Sequence, residues 1–221
     1  VSALPTLPAL PAATAAELEF DRQVHALVAT GLPAMVGLAE ECFRASCEPL
    51  RDVLPAGPAG EGVPFVVVVP DVPVLDVLAT VQTAGGGGAS TMEPEELARC
   101  RPLPELGVPP VPYLLLDVDT GRDTRDVPPR DVVARLAAAG RTPLTLAEGL
   151  ALLVSDPGVL RSRGYSLPGS CAGNERAPAL WDSGRRPRLG WCHQGAPHTW
   201  LGTASCGGRV TAGPAPGEIG D

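Results

Sequence analysis

The stretch VPFVVVV, Val63 to Val69, is short, β-branched and apolar at nearly every position. A half-exposed strand would alternate apolar and polar residues, so this run predicts a strand buried on both faces. YLLLDVD, Tyr113 to Asp119, predicts a second one. Around these two runs the signals are helical. Thr14 and Glu17 form a capping box ahead of a segment that Gly31 should close. Pro33 suits the first turn of a second helix running to about Leu54, with Met35, Leu38, Cys42 and Phe43 as its apolar side. Short helices are predicted over Val74–Val81 and Glu95–Cys100. Two more follow, one over Pro129–Ala139 closed by Gly140, the other opened by the capping pair Thr145 and Glu148. Ala179 to Cys206 alternates apolar segments with the turns DSGRRP and QGAP and reads as a meander. The predicted fold class is α+β: N-terminal helices, a small mixed sheet holding the two apolar strands, and a C-terminal three-stranded antiparallel meander. A Pro-rich arm (1–13), a single domain (14–206) and a flexible tail (207–221) complete the organisation.

Composition narrows the chemistry. Hydrophobic residues make up 44% of the chain and mean hydropathy is +0.12, as expected of a soluble globular protein. All 17 basic residues are arginines, so Schiff-base catalysis, a lysine-bound pyridoxal cofactor and the P-loop lysine all lack their key residue. The four glycines Gly85–Gly88 therefore read as a mobile surface loop, not a phosphate cradle. Net charge is −8, with 9 arginines against 19 acids over residues 1–139 and 8 against 4 over 140–210. The acidic total and the lack of a recognised binding motif argue against nucleic acid. The N-terminal segment has no basic stretch and is not read as a signal peptide, and no apolar run approaches the ~18 residues of a membrane span. Six cysteines without a CxxC fit reduced thiols in a cytoplasm.

Two constellations could carry chemistry. LLLDVDTG, Leu114 to Gly121, resembles an aspartyl-phosphate or aspartic-protease motif only in part. Its Asp117 and Asp119 read as strand-end carboxylates, solvated or paired with Arg122 and Arg125. RLGWCHQGAPHTWLGTAS, Arg188 to Ser205, is richer. In a hairpin with loop Gln194–Pro197, His193 and His198 would face each other across the strands about 5 Å apart at Cβ. Trp191 would share a face with His193, and Trp200 with His198. His198 is the candidate general acid or base, with Asp182 and His193 assisting. Trp181, Trp191, Trp200, Arg188 and Tyr165 are the candidate ligand-binding residues. The spacing of Cys192, His193, His198 and Cys206 matches no standard zinc pattern, so no metal and no other cofactor is assigned.

GRTPLTLAEGLALL (140–153), PALW (178–181), LGWC (189–192) and PHTWLGTASC (197–206), together with the segment from Phe20 to Pro55 and VPFVVVVP, resemble a family. It is the actinobacterial domain of unknown function DUF5701. The resemblance spans nearly the whole chain and implies one integrated domain in a bacterial protein, with no activity attached. The chain departs from the family pattern at Asp182, at His193 and Gln194, and at Cys171, while His198 and Trp200 fit it. The sequence thus predicts a cytoplasmic protein that binds a small, partly apolar metabolite, with cofactor-independent acid–base chemistry such as cyclisation, isomerisation or hydrolysis. The competing readings are a non-catalytic interaction or scaffold protein and, third, a metal-dependent hydrolase.

Overall fold

The computed structural model describes residues 13–57, 62–161, 164–171 and 175–213. The Pro-rich arm up to residue 12 and the tail from residue 214 lie outside the described residues.

The two apolar runs do become neighbouring strands. Val63–Val68 pairs antiparallel with Tyr113–Val118, with Phe65 opposite Leu116 and Val68 opposite Tyr113. Their third partner is Gly208–Val210, antiparallel to the other edge of Tyr113–Val118. The tail expected from residue 207 thus starts as a sheet strand. Its Arg209 is the reason, because that side chain reaches into the interior as described below.

The Val63–Val68 strand lies at the edge of its sheet, which leaves outward-facing backbone groups to satisfy. Gln23, 1% exposed on the Ala15–Ala29 helix, supplies both partners. Its amide nitrogen donates to the Phe65 carbonyl at 3.0 Å, and its amide oxygen accepts from Val67 N–H at 2.8 Å. That helix starts at the expected capping box, with Glu17 N–H donating to Thr14 Oγ1. The second predicted helix is interrupted. Leu32–Met35 is a single turn, Gly37 takes φ +73°, and helix resumes at Glu40–Cys47 before a 3₁₀ segment, Glu48–Val53. A left-handed glycine ends an α-helix, so Leu38 and Cys42 fall on the surface while Phe43 is buried.

The Leu146–Ser155 helix sits at the centre of the molecule. All of its residues but Ala147 are buried, and it packs on the Ala15–Ala29 helix, the Val63–Val68 strand and the Arg176–Asp182 strand. A helix apolar on nearly every side belongs in such a place, and its one charged residue, Glu148, is paired. Beyond it lies a five-stranded mixed sheet in the order Leu201–Thr203, Gly164–Ser166, Arg176–Asp182, Pro187–His193, Ala89–Ser90. The three middle strands are antiparallel and the two outer ones pair parallel to their neighbours.

The fold is therefore α+β with a C-terminal antiparallel three-stranded unit, but the unit's membership differs from expectation. DSGRRP does connect two strands, with Asp182 opposite Pro187. QGAP does not make a hairpin. After His193 the chain docks on the start of the Pro129–Ala138 helix and the segment leading into it, where Gln194 O accepts from Arg130 N–H and His198 O from Asp126 N–H. Those bonds carry Leu201–Thr203 to the far edge of the sheet, beside Gly164–Ser166. The glycine run is also not a loose loop. Gly86–Gly87 pairs with Gln82–Thr83, and a Cβ on Gly85, Gly87 or Gly88 would each come within 2.4 Å of a backbone oxygen. Those oxygens belong to Gly184, Ala79 and Leu78. Glycine is required there by close packing.

Candidate functional site

The C-terminal aromatic residues do not gather into one pocket. Strand pairing puts Trp181 on the sheet face of Ala177, Ala179 and Cys192, and Trp191 on the opposite face with Leu180 and Leu189. Trp191 donates its indole N–H to Glu96 Oε2 at 3.2 Å. Trp181 meets Trp200 edge-on, ring centroids 5.6 Å apart, and His198 meets Trp200 at 6.4 Å. Trp200 is 41% exposed, so this cluster forms a surface ridge.

The two histidines come near each other without sharing a site. His198 Nε2 lies 3.1 Å from the backbone oxygen of His193, and the His193 ring accepts from Gly195 N–H at 3.3 Å while its other nitrogen lies 3.6 Å from Glu175. Asp182 stands at the other end of the hairpin, its carboxylate accepting from Arg185 N–H at 2.8 Å. Since Arg176 pairs with His193 and Asp182 with Pro187, six residues of strand separate the carboxylate from the histidine end, about 20 Å. The predicted triad of His198, His193 and Asp182 is not assembled. Arg188 pairs opposite Trp181 on the strand, and Tyr165 is fully buried with its hydroxyl donating to Gly149 O. Burial pushes the Cys192 thiol up to about 11, which keeps it protonated and inert at neutral pH. Among the described residues no three His, Cys, Asp or Glu side chains stand together as a metal site would need.

The carboxylates of LLLDVDTG are structural. Asp117, at φ +50°, pairs with Arg141 and not with Arg122 or Arg125, and Arg141 also donates to Ser205 Oγ at 3.1 Å. Asp119 Oδ1 accepts from Gly121 N–H at 2.8 Å and closes a turn. A Cβ on Gly121 would lie 2.2 Å from Thr203 O, so the glycine lets two backbone segments touch.

The concavity lies elsewhere. A cleft of about 740 Å³ opens at the N-terminal end of the Leu146–Ser155 helix. One wall runs from Pro70 to Asp76, through the start of the Val74–Thr80 helix. The facing wall comes from the Pro94–Arg99 helix and the Pro-rich connector beyond it, and Tyr113, Thr145 and Ser170 close the base. Proline rings make rigid walls with no N–H to satisfy, which suits an apolar lining. A second cavity of about 500 Å³ shares Pro70, Asp71, Val72 and Pro73 with the first. Between them, Asp71 holds φ +54°, a left-handed conformation uncommon for any residue with a Cβ.

Beneath the cleft lies a buried polar network. Glu148, 0% exposed, accepts from its own capping position, Thr145 N–H, at 2.7 Å and from the Tyr113 hydroxyl at 2.8 Å. Arg209 completes it with two bonds, at 2.6 and 2.8 Å, and adds Thr142 Oγ1 at 2.7 Å. Burial, with the neighbouring Glu148 charge, holds the Tyr113 phenol well above its ordinary range. Ser170 Oγ accepts from Leu146 N–H at 2.9 Å. The base of the cleft is thereby rigid, its polar groups fixed before any ligand arrives.

Sequence reasoning singled out Glu148 and Thr145 as caps but missed the cleft. PDVP and the 102–112 connector carry the clearest local signal, prolines packed around strand ends, yet no local pattern says that they face each other.

The profile of DUF5701, a family of unknown function, matches residues 26–212. No curated protein and no solved structure matches the chain. No helix among the described residues is long and apolar enough to cross a membrane.

Proposed function

We propose that this chain, which belongs to the DUF5701 family, binds a small, partly apolar molecule in the proline-walled cleft at the start of the Leu146–Ser155 helix. One observation carries the reading: a cavity of about 740 Å³, walled by proline rings and aliphatic side chains, over a base of hydrogen-bonded polar groups. Small-molecule sites span roughly 300–1,000 Å³ and share that composition, apolar walls with a few convergent polar groups. The cleft lining contains no histidine. Acid–base chemistry at His198 would belong to a different surface, so binding is the function proposed and the histidine pair is set aside.

The neutral fluorophore N-phenyl-1-naphthylamine tests this. Its emission should rise on binding to the wild-type protein and stay low with Ala98→Trp, which plugs the cleft from an exposed helical position. Trp200→Ala should bind the probe like wild type. Binding lost in Trp200→Ala and retained in Ala98→Trp would move the site to the aromatic ridge and overturn the reading.

A further inference from the structure

We infer that the ligand is an apolar zwitterion, a free apolar amino acid or a short peptide, with its ammonium on the Asp71 and Asp76 wall and its carboxylate at Arg101. The inference rests on the cleft being the binding site. Three charged residues line it. Asp71 and Asp76 belong to the wall that follows the Val63–Val68 strand. Arg101 belongs to the facing wall, on a short strand paired with Ser170–Cys171.

Several charged side chains elsewhere in the molecule find partners close by. Glu19 holds Arg22, Glu40 holds Arg44, Asp117 holds Arg141 and Glu148 holds Arg209. In the cleft the charges stay apart: among the described residues, no ion pair or side-chain hydrogen bond engages Asp71, Asp76 or Arg101, all three of them exposed. Opposite charges border one cavity without closing on each other, so a molecule inside can lie between them. An amine alone would leave Arg101 unanswered, and a carboxylate alone would face two aspartates. A molecule with both charges and an apolar body satisfies both walls, and it gains discrimination against singly charged competitors. The apolar body has Leu75, Leu97 and Val108 to lie on.

Calorimetric titration of the intact protein with four forms of one peptide separates the contributions. The forms are L-leucyl-L-leucine, its N-acetyl derivative (anion only), its amide (cation only) and the N-acetyl amide (no charge). The dipeptide should bind at least about tenfold more tightly than either singly charged form. Asp76→Asn should erase its advantage over the N-acetyl derivative, and Arg101→Gln its advantage over the amide. Equal affinity for all four forms would overturn the inference. So would failure of all four while N-phenyl-1-naphthylamine still binds in an Ala98→Trp-sensitive way, which leaves the cleft itself standing. If the neutral probe and the peptides all fail, both readings fall.

Discussion

Arg209 and Glu148 form a two-pronged ion pair inside the protein, Nε to Oε1 at 2.6 Å and the second guanidinium nitrogen to Oε2 at 2.8 Å. The pair ties the last described strand to the first turn of the central helix, across 61 residues of chain. Removing one member of a buried pair strands the other charge, at a typical cost of about 3–5 kcal/mol. Arg209→Met should therefore lower the stability measured by urea unfolding by several kcal/mol, and the double variant with Glu148→Gln should recover part of it. Truncation after residue 207, which removes the whole Gly208–Val210 strand, should be at least as damaging as Arg209→Met. A chain ending at 207 that unfolds like wild type would remove the latch.

Gln23 acts as a one-residue edge strand, since it answers a carbonyl and an N–H two residues apart on Val63–Val68. Gln23→Leu keeps the volume but leaves both backbone groups buried and unpaired, each costing about 1–3 kcal/mol. The expected loss is about 2–4 kcal/mol in equilibrium unfolding, with faster hydrogen exchange at Val67 N–H. A loss under about 0.5 kcal/mol would mean that water reaches that edge.

The buried thiols and phenols set the alkaline limb of stability. Burial raises Cys192 from 9.0 to about 11 and raises Cys47, Cys206, Tyr113 and Tyr165 in the same direction. In the unfolded chain a thiol starts to ionise near 9.0 while the folded chain still holds the proton. The contribution is thus complete below that pH and is lost as pH climbs through the folded value, at up to about 1.4 kcal/mol per pH unit for each group. Urea midpoints should be flat up to about pH 8.5 and fall steadily above pH 9, less steeply in Cys192→Ala. A midpoint rising in that window would contradict the assignment.

His193→Ala and His198→Ala should each cost less than about 0.5 kcal/mol, the usual range for surface substitutions, and leave fluorophore binding unchanged. Loss of binding in either would restore the histidines as site residues.

Asp71 keeps a backbone conformation that glycine adopts freely. Asp71→Gly should be neutral or stabilising by up to about 1 kcal/mol in denaturant titration, while weakening L-leucyl-L-leucine binding. Such a split, stability held and affinity lost, would mean that the aspartate is there for its side chain. If both were unchanged, Asp71 would have no part in binding.

Local signals were legible at once. Capping boxes at Thr14 and Thr145, the apolar runs at Val63 and Tyr113, and the turn at DSGRRP depend on residues within a few positions of each other, and the structure has all of them. The turn at QGAP was misread because a hairpin competes there with docking onto Asp126 and Arg130, partners some 70 residues away. The glycine run looked loose for a related reason: what demands glycine at Gly85 is the backbone of Gly184, distant in the chain. Alternation within Arg176–Asp182 and Pro187–His193 puts Trp181 and Trp191 on opposite faces, so the aromatic wall expected from their closeness in sequence could not form.

By itself, then, the sequence determined the two apolar strands, the capped helix starts at Thr14 and Thr145, the apolar interior and, through the absence of lysine, a set of excluded chemistries. Only the tertiary structure decided that the supposed tail carries an interior arginine, that Gln23 finishes a sheet edge, and that two proline-rich connectors enclose a cleft. The physical reason is range. Caps, turns and periodicity are energies between near neighbours, whereas ion pairs, edge satisfaction and cavity walls arise between groups that meet only once the chain has closed around them.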